Sequence, residues 1–497
     1  THRYPFAGDA NAKVRLGVVS AEGGETNWLD IAAPEEDFYL ARVVWEDVEH
    51  LLIQILSRDQ KTLRLFRVNV DTGERTQLIE ETSEKWVNLH HDLRALKSTG
   101  EILWSSERTG LRQLELRNHD GSLKRVVTRG KTPVDAVAAL DPDRREVWYS
   151  APGRTPLETQ LWRASLDDGS GRRVSKEAGT HRVVVAHDGE HYVDTFSNRD
   201  TPPVTTLRDR SGQVVATLDD AADDPRLAEV RLVAPQLTEF KTKDGVTLFG
   251  AYYAPRSRPL GEKAPLIVMV YGGPHVQTVT DSWGLTADLN AQFLADRGFA
   301  VWKCDNRGSA RRGLEFEIPL FHHMGEIEVQ DQIEGVRFAA ASWPEIDLAR
   351  VGVTGGSYGG YMTLRCLTLA PDVFKSGVAI APVTDWDGYD TCYTERYMGT
   401  PKTNPEGYRA SSVLNRAADL TGPLLVIHGM LDENVHFRHT ARLTTSLIAA
   451  GRPFTLLPLP DERHTSRRVP ERTYVAERIA QFFESAPGQT NGPPVIP

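Results

Sequence analysis

The segment Gly355-Gly356-Ser357-Tyr358-Gly359 follows two apolar strand positions, Val351 and Val353, and runs at once into a helical pattern of Tyr361, Met362, Leu364, Leu367 and Leu369. A serine between glycines at a strand–turn–helix junction sits on a sharp, strained turn with its hydroxyl exposed. Side chains at 355 and 359 would collide with the neighbouring strand and helix. Such a serine attacks carbonyl carbons, provided a histidine removes the hydroxyl proton and a carboxylate orients that histidine. Two downstream loops follow apolar runs. Gly429-Met430-Leu431-Asp432-Glu433-Asn434 comes after residues 424–428, and Pro460-Asp461-Glu462-Arg463-His464 after residues 454–457. Asp432, preferred over Glu433, and His464 are the expected partners of Ser357. Charge developing on the attacked oxygen needs two donors. One is the N–H of Tyr358. The other is expected from Tyr271-Gly272-Gly273-Pro274, where Tyr271 offers a phenol and Gly272 an N–H; the residues alone slightly favour the backbone group.

The elements around these residues alternate. From residue 264 onward, short β-branched and Leu-rich runs (266–271, 299–304, 377–381, 424–428, 454–457) alternate with helical patterns (287–298, 326–342, 438–450, 471–485). That alternation predicts a mostly parallel, doubly wound sheet covered on both faces. With the serine on its central strand and the order Ser, Asp, His along the chain, it is the α/β-hydrolase pattern.

The first 220 residues read differently. Self-similar hairpins, LFRVNVDTGERTQLI, LELRNHDGSLKRVV, LWRASLDDGSGRRVS and TTLRDRSGQVVATL, surround Asp/Ser-Gly turns, and Gly23-Gly24 opens the series. Gly73, Gly121 and Gly169 are spaced by 48 residues, and Gly212 follows 43 later. A four-stranded unit at that period predicts a β-propeller of four to five blades, incomplete as a ring. Closure then requires blades upstream of Thr1. The expected division is a partial propeller over 1–222 and a catalytic domain over 223–497.

Composition excludes several classes. Forty per cent apolar and 25% charged residues suit a globular chain, and a net charge of −10 argues against nucleic acid or an anionic membrane as partner. No apolar run is long enough for a membrane segment. Cys304, Cys366 and Cys392 lack metal-ligand spacing and read as reduced thiols. His436 and His439 have no third ligand near them, so no metal and no cofactor is expected. His428 reads as a hydrogen-bonded core histidine. The pairs His90-His91 and His322-His323 read as loop or surface residues, and Asp461 and Glu462 as a solvated loop. The start at Thr1 reads as a removed leader or a fragment and leaves the compartment open.

A propeller followed by an α/β-hydrolase resembles the prolyl oligopeptidase family, and the text is most similar to its dipeptidyl peptidase IV-like branch. The resemblance runs from Arg3-Tyr4-Pro5 onward and is densest in GGSYGG (355–360), APVTDW (381–386), YTERYM (393–398) and HGMLDENVHF (428–437). It implies a serine exopeptidase releasing X-Pro or X-Ala dipeptides from peptides with Pro or Ala at the second position. It implies Ser357, Asp432 and His464 as the triad, and the Tyr271 hydroxyl as the oxyanion donor beside Tyr358. Tyr358, Val383, Trp386, Tyr389 and Tyr393 would form the proline pocket, and Asn434 would hydrogen-bond the carbonyl of the residue before it. It also implies a homodimer. A flat proline ring matches an aromatic box that longer side chains cannot enter. The branch's amine-binding Glu-Glu pair belongs upstream of Thr1, so weak or no exopeptidase activity is expected of residues 1–497. Glu35-Glu36 and Glu80-Glu81 lie outside that motif's context and read as exposed loop charges. The alternatives are a related endopeptidase, tripeptidyl or acylaminoacyl peptidase, and an interaction module on an inactive hydrolase.

Overall fold

The computed structural model describes residues 3–32, 36–258 and 261–486. Among them, four consecutive four-stranded antiparallel sheets run through Phe38–Thr82, 94–126, 136–173 and 180–220. Each is a meander in chain order, and a two-stranded sheet, Leu16–Val18 with Asn27–Leu29, precedes them. These are the blades of the propeller region. Each anticipated hairpin turn joins two paired strands. Three of these turns share one local device: Asp120, Asp168 and Asp209 each accept the N–H two residues on, at 2.8–2.9 Å. The glycine beside the aspartate also serves packing between blades. A Cβ on Gly121 would lie 2.0 Å from the Leu78 carbonyl oxygen of the preceding sheet. The repeat therefore records a backbone-to-backbone approach as well as a turn.

Beyond Asp220 the pattern changes to one eight-stranded sheet. Its strands are β1 (Gln236–Lys241), β2 (Thr247–Tyr253), β3 (Ala264–Met269), β4 (Ala300–Asp305), β5 (Ile346–Gly356), β6 (Ser376–Ile380), β7 (Leu424–Gly429) and β8 (Thr455–Leu459). The spatial order is β1-β2-β4-β3-β5-β6-β7-β8. The first two strands pair antiparallel, β2 meets β4 antiparallel, and every pair from β4 to β8 is parallel. The inner strands β3, β4 and β7 are buried almost throughout, which is why they read as continuous apolar runs. Helices α1 (Leu289–Asp296), α2 (Ile327–Ser342), α3 (Tyr358–Leu369), α4 (Thr391–Met398), α5 (Arg438–Ala449) and α6 (Val469–Ser485) cover the sheet and its C-terminal edge. Two apolar layers result. One, around Trp302, Tyr361 and Met362, lies on one face. The other, around Ile267, Val301, Ile427 and Phe483, lies on the opposite face.

Several sequence expectations need correcting. His90 lies in a loop but is buried; desolvation lowers its pKa to about 4, leaving a neutral ring beside Trp104. Glu80 and Glu81 are strand residues. Glu81 is buried, accepting from Trp104 Nε1 at 2.9 Å and Arg108 at 2.6 Å. Glu462 is buried too, and accepts the Arg467 N–H. For Glu81 and Glu462 the alternative to a solvated charge is a set of donors supplied by other strands or turns. Glu36 is exposed; Glu35 lies outside the described residues.

Candidate active site

The elbow's backbone is the first element of the site. Ser357 has φ 59° and ψ −119°, a conformation disfavoured for any residue with a Cβ. It persists because its surroundings are over-determined: Ser357 N–H donates to Ile380 O at 2.8 Å, and Tyr361 N–H returns to Ser357 O at 3.0 Å. A Cβ on Gly355 would lie 2.2 Å from Val270 O, and one on Gly359 2.3 Å from the same oxygen. The glycines are there because β3 and the first turn of α3 approach the serine's backbone this closely.

Ser357 follows β5, Asp432 follows β7 and His464 follows β8. These strands run parallel, so all three residues emerge at one edge of the sheet. His464 Nδ1 meets Asp432 Oδ2 at 2.7 Å. The Leu431 N–H donates to Glu462 O at 3.1 Å, tying the two loops together. Glu433 turns away and pairs with Arg463 at 2.7 Å.

Asp432 is densely held. Its Oδ1 accepts from the N–H groups of Asn434 and Val435, both at 2.9 Å, and its Oδ2 also faces His428 Nε2 at 3.1 Å. Burial pushes the carboxyl up, but the His428 and His464 hydrogen bonds and the backbone donors outweigh it. The net effect lowers its pKa to about 2. His428 is indeed a buried, hydrogen-bonded histidine, with Nδ1 at 2.7 Å from Thr440 Oγ1. What its sequence position did not disclose is that its other nitrogen braces Asp432. A histidine ending the strand that leads to Asp432 was the available signal.

The two residues expected to donate to an oxyanion, Tyr358 and Tyr271, lie beside the elbow. Tyr358 is the first residue of α3, where the N–H has no intrahelical acceptor. Tyr271 lies just beyond β3, its ring 6.1 Å from that of Tyr358. Burial raises its phenol and keeps it a donor. Gly273 is required by the Tyr358 ring, since a Cβ there would sit 2.5 Å from the ring. The phenol of Tyr358 donates to Glu328 Oε1 at 2.7 Å, a buried α2 carboxylate that sequence reading missed.

The aromatic residues gather into one cluster. Trp386 lies 5.6 Å from Tyr358, 6.1 Å from Tyr389 and 6.1 Å from Tyr393, stacked on the last at 24°. Val383 is buried in the same core. Tyr393 is carried by α4, whose N-terminus is capped by Asp390 accepting the Tyr393 N–H at 2.8 Å. Asn434 Oδ1 accepts the Tyr389 hydroxyl at 2.6 Å, which leaves its Nδ2 as a donor. His275, also unforeseen, meets the Tyr397 hydroxyl at 2.7 Å behind Tyr393. His439, one of the pair weighed as metal ligands, accepts the Thr384 N–H and reaches Gly388 O. His436 stacks on Tyr4.

Comparison with known proteins agrees with this architecture. Residues 285–490 match the model described as the prolyl oligopeptidase family, and residues 1–203 match the dipeptidyl peptidase IV N-terminal region. The chain is 32% identical over 551 residues to dipeptidyl peptidase 8 of Homo sapiens, covering 94% of this chain and 60% of that protein. It is equally similar to dipeptidyl peptidase 8 of Mus musculus, of which it covers 61%. The crystal structure of Porphyromonas gingivalis dipeptidyl peptidase 4 superposes with a TM-score of 0.90 at 28% identity, over 97% of this chain and 68% of that one. The chain thus spans about three fifths of the length of the curated relatives it matches. With a propeller-type region, an eight-stranded hydrolase sheet and a serine elbow at its centre, the chain is similar to the prolyl oligopeptidase family in both of its regions.

Proposed function

We propose that the protein is a serine exopeptidase that releases dipeptides from the amino terminus of peptides with Pro or Ala in second position. The observation that carries this reading is the 2.7 Å Asp432–His464 pair at the sheet edge where the strained Ser357 turn emerges. In this reading His464 Nε2 takes the Ser357 proton as Oγ attacks the carbonyl carbon. Tyr358 N–H and the Tyr271 hydroxyl stabilise the tetrahedral oxyanion. Collapse of that intermediate breaks the peptide bond, and His464 returns the proton to the leaving amine. Water, deprotonated by the same histidine, then hydrolyses the acyl-enzyme. Tyr358, Val383, Trp386, Tyr389 and Tyr393 enclose the proline ring, and Asn434 Nδ2 donates to the carbonyl of the residue before it. The working division is a propeller region over 1–222 and a catalytic unit over 223–497. A homodimer, which sedimentation would detect, belongs to the same proposal.

The test uses two substrates and one probe. A fluorophosphonate should label Ser357, and Ser357→Ala should abolish labelling and X-Pro amide cleavage together. A free amine should be required, so N-acetylated X-Pro amides should be refused. Turnover of the acetylated substrate would make the protein an endopeptidase of the same family, and cleavage surviving Ser357→Ala would refute the mechanism.

A further inference from the structure

Residues 3–8, Arg-Tyr-Pro-Phe-Ala-Gly, precede the propeller sheets in sequence yet lie across the catalytic half. Ala7 N–H donates to Tyr389 O at 2.9 Å, Thr391 N–H donates to Pro5 O at 3.1 Å, and Gly8 N–H donates to Glu395 Oε1 at 2.8 Å. Glu395 is gripped in turn by Arg58 of the first four-stranded sheet, at 2.7 and 2.8 Å. The segment is thus pinned to both halves of the chain. From it, Tyr4 reaches the acid loop. Its hydroxyl donates to the Asn434 carbonyl at 2.7 Å, and its ring stacks on His436 at 4.5 Å and meets Tyr389 edge-on at 6.0 Å.

Asn434 is therefore held at three points. Its N–H is on Asp432, its side-chain oxygen takes the Tyr389 hydroxyl, and its carbonyl takes the Tyr4 hydroxyl. The first two contacts come from the catalytic unit; the third comes from the far end of the chain. The carbonyl belongs to the Asn434–Val435 peptide, whose N–H is on Asp432 at 2.9 Å; the Tyr4 hydroxyl holds the opposite side of the same plane, so the backbone next to the Cα that bears the Asn434 side chain is fixed from both sides. We propose that Tyr4 is a positioning residue that locks the Asn434 peptide, so that Nδ2 is presented to the substrate carbonyl in one orientation. The inference rests on the role given to Asn434 above. It couples residues 3–8 directly to substrate recognition.

Tyr4→Phe tests this with little risk to the fold, because it keeps the ring and its stack on His436 and deletes one hydrogen bond. KM for X-Pro amides should rise about fivefold, the worth of roughly one hydrogen bond, while kcat stays nearly constant. Adding Tyr4→Phe to Asn434→Ala should produce no further rise, since both substitutions remove the same contact with substrate. An unchanged KM, or effects that multiply in the double variant, overturns the proposal. Hydrogen exchange at the Asn434 and Val435 amides gives a readout independent of turnover. It should quicken in Tyr4→Phe, and unchanged exchange also overturns the proposal. If Ser357 takes no fluorophosphonate label while these amides respond to Tyr4→Phe, the peptidase reading fails and the lock on Asn434 stands.

Discussion

Asp432 concentrates the residue-scale chemistry of the site. Four donors converge on one carboxylate, from two imidazoles and two backbone N–H groups, and together they hold its charge against burial. A carboxylate whose native pKa is depressed binds its proton more weakly when folded. Its stabilising contribution is full above the unfolded value and is lost as pH falls through the native one. The protein should lose roughly 2 kcal/mol of stability between about pH 4 and about pH 2 from this group. Asp432→Asn should flatten that part of the pH–stability curve in denaturant titrations at successive pH values. The same substitution should cut kcat by about 10⁴-fold, because an amide favours the wrong histidine tautomer. A kcat within tenfold of the unsubstituted protein would remove Asp432 from the mechanism. Its position in a loop after a late strand made the residue a candidate. Its second imidazole, His428, was not, because contact with Asp432 depends on how the chain turns between residues 429 and 432.

At the scale of elements, the short helix α4 and the loop before it build most of the aromatic cluster. Trp386 lies in a single helical turn, and Tyr389 follows in extended backbone. Tyr393 then enters α4 at the point where the Asp390 carboxylate caps the helix. The cap satisfies an otherwise orphaned N–H and sets the angle at which Tyr393 meets Trp386. Asp390→Ala should destabilise the protein by about 1 kcal/mol and raise KM for Pro substrates more than for Ala substrates, since only the larger ring fills the box. Equal effects on both substrates would show the cap to be merely structural. From residue types alone these aromatics resembled core packing. Only the motif resemblance singled them out, and the ring distances now supply a physical reason to group them.

On the scale of the whole molecule, propeller region and hydrolase meet through charged and polar contacts as well as apolar ones. Arg311 reaches from the hydrolase to Asp135 at 2.7 and 3.1 Å. Asn88 of the propeller region bridges its own Glu107 at 2.9 Å and Glu317 of the hydrolase at 3.1 Å. Burial first, and the neighbouring Glu107 second, push Glu317 up to about 7; Arg112 and Arg396 oppose the shift. A carboxyl raised in the native state binds protons that the unfolded chain has released, so stability falls as pH rises from about 4.3 through about 7. Glu317→Gln keeps the shape and removes the charge. It should abolish about 3 kcal/mol of that decline at most, read from unfolding midpoints at pH 5 and pH 8; an identical pH dependence in the variant would refute the assignment. The amino-acid sequence by itself determined the propeller repeats, the alternating strands and helices, the elbow, and the order of Ser357, Asp432 and His464, because each is written in local periodicity or in turns of a few residues. Only the tertiary structure decided that His428 braces Asp432, that Glu81, His90 and Glu462 are buried, and that Tyr4 lies on Asn434. Those contacts depend on how far chain folding carries one element towards another, and no spacing within a single segment encodes that distance.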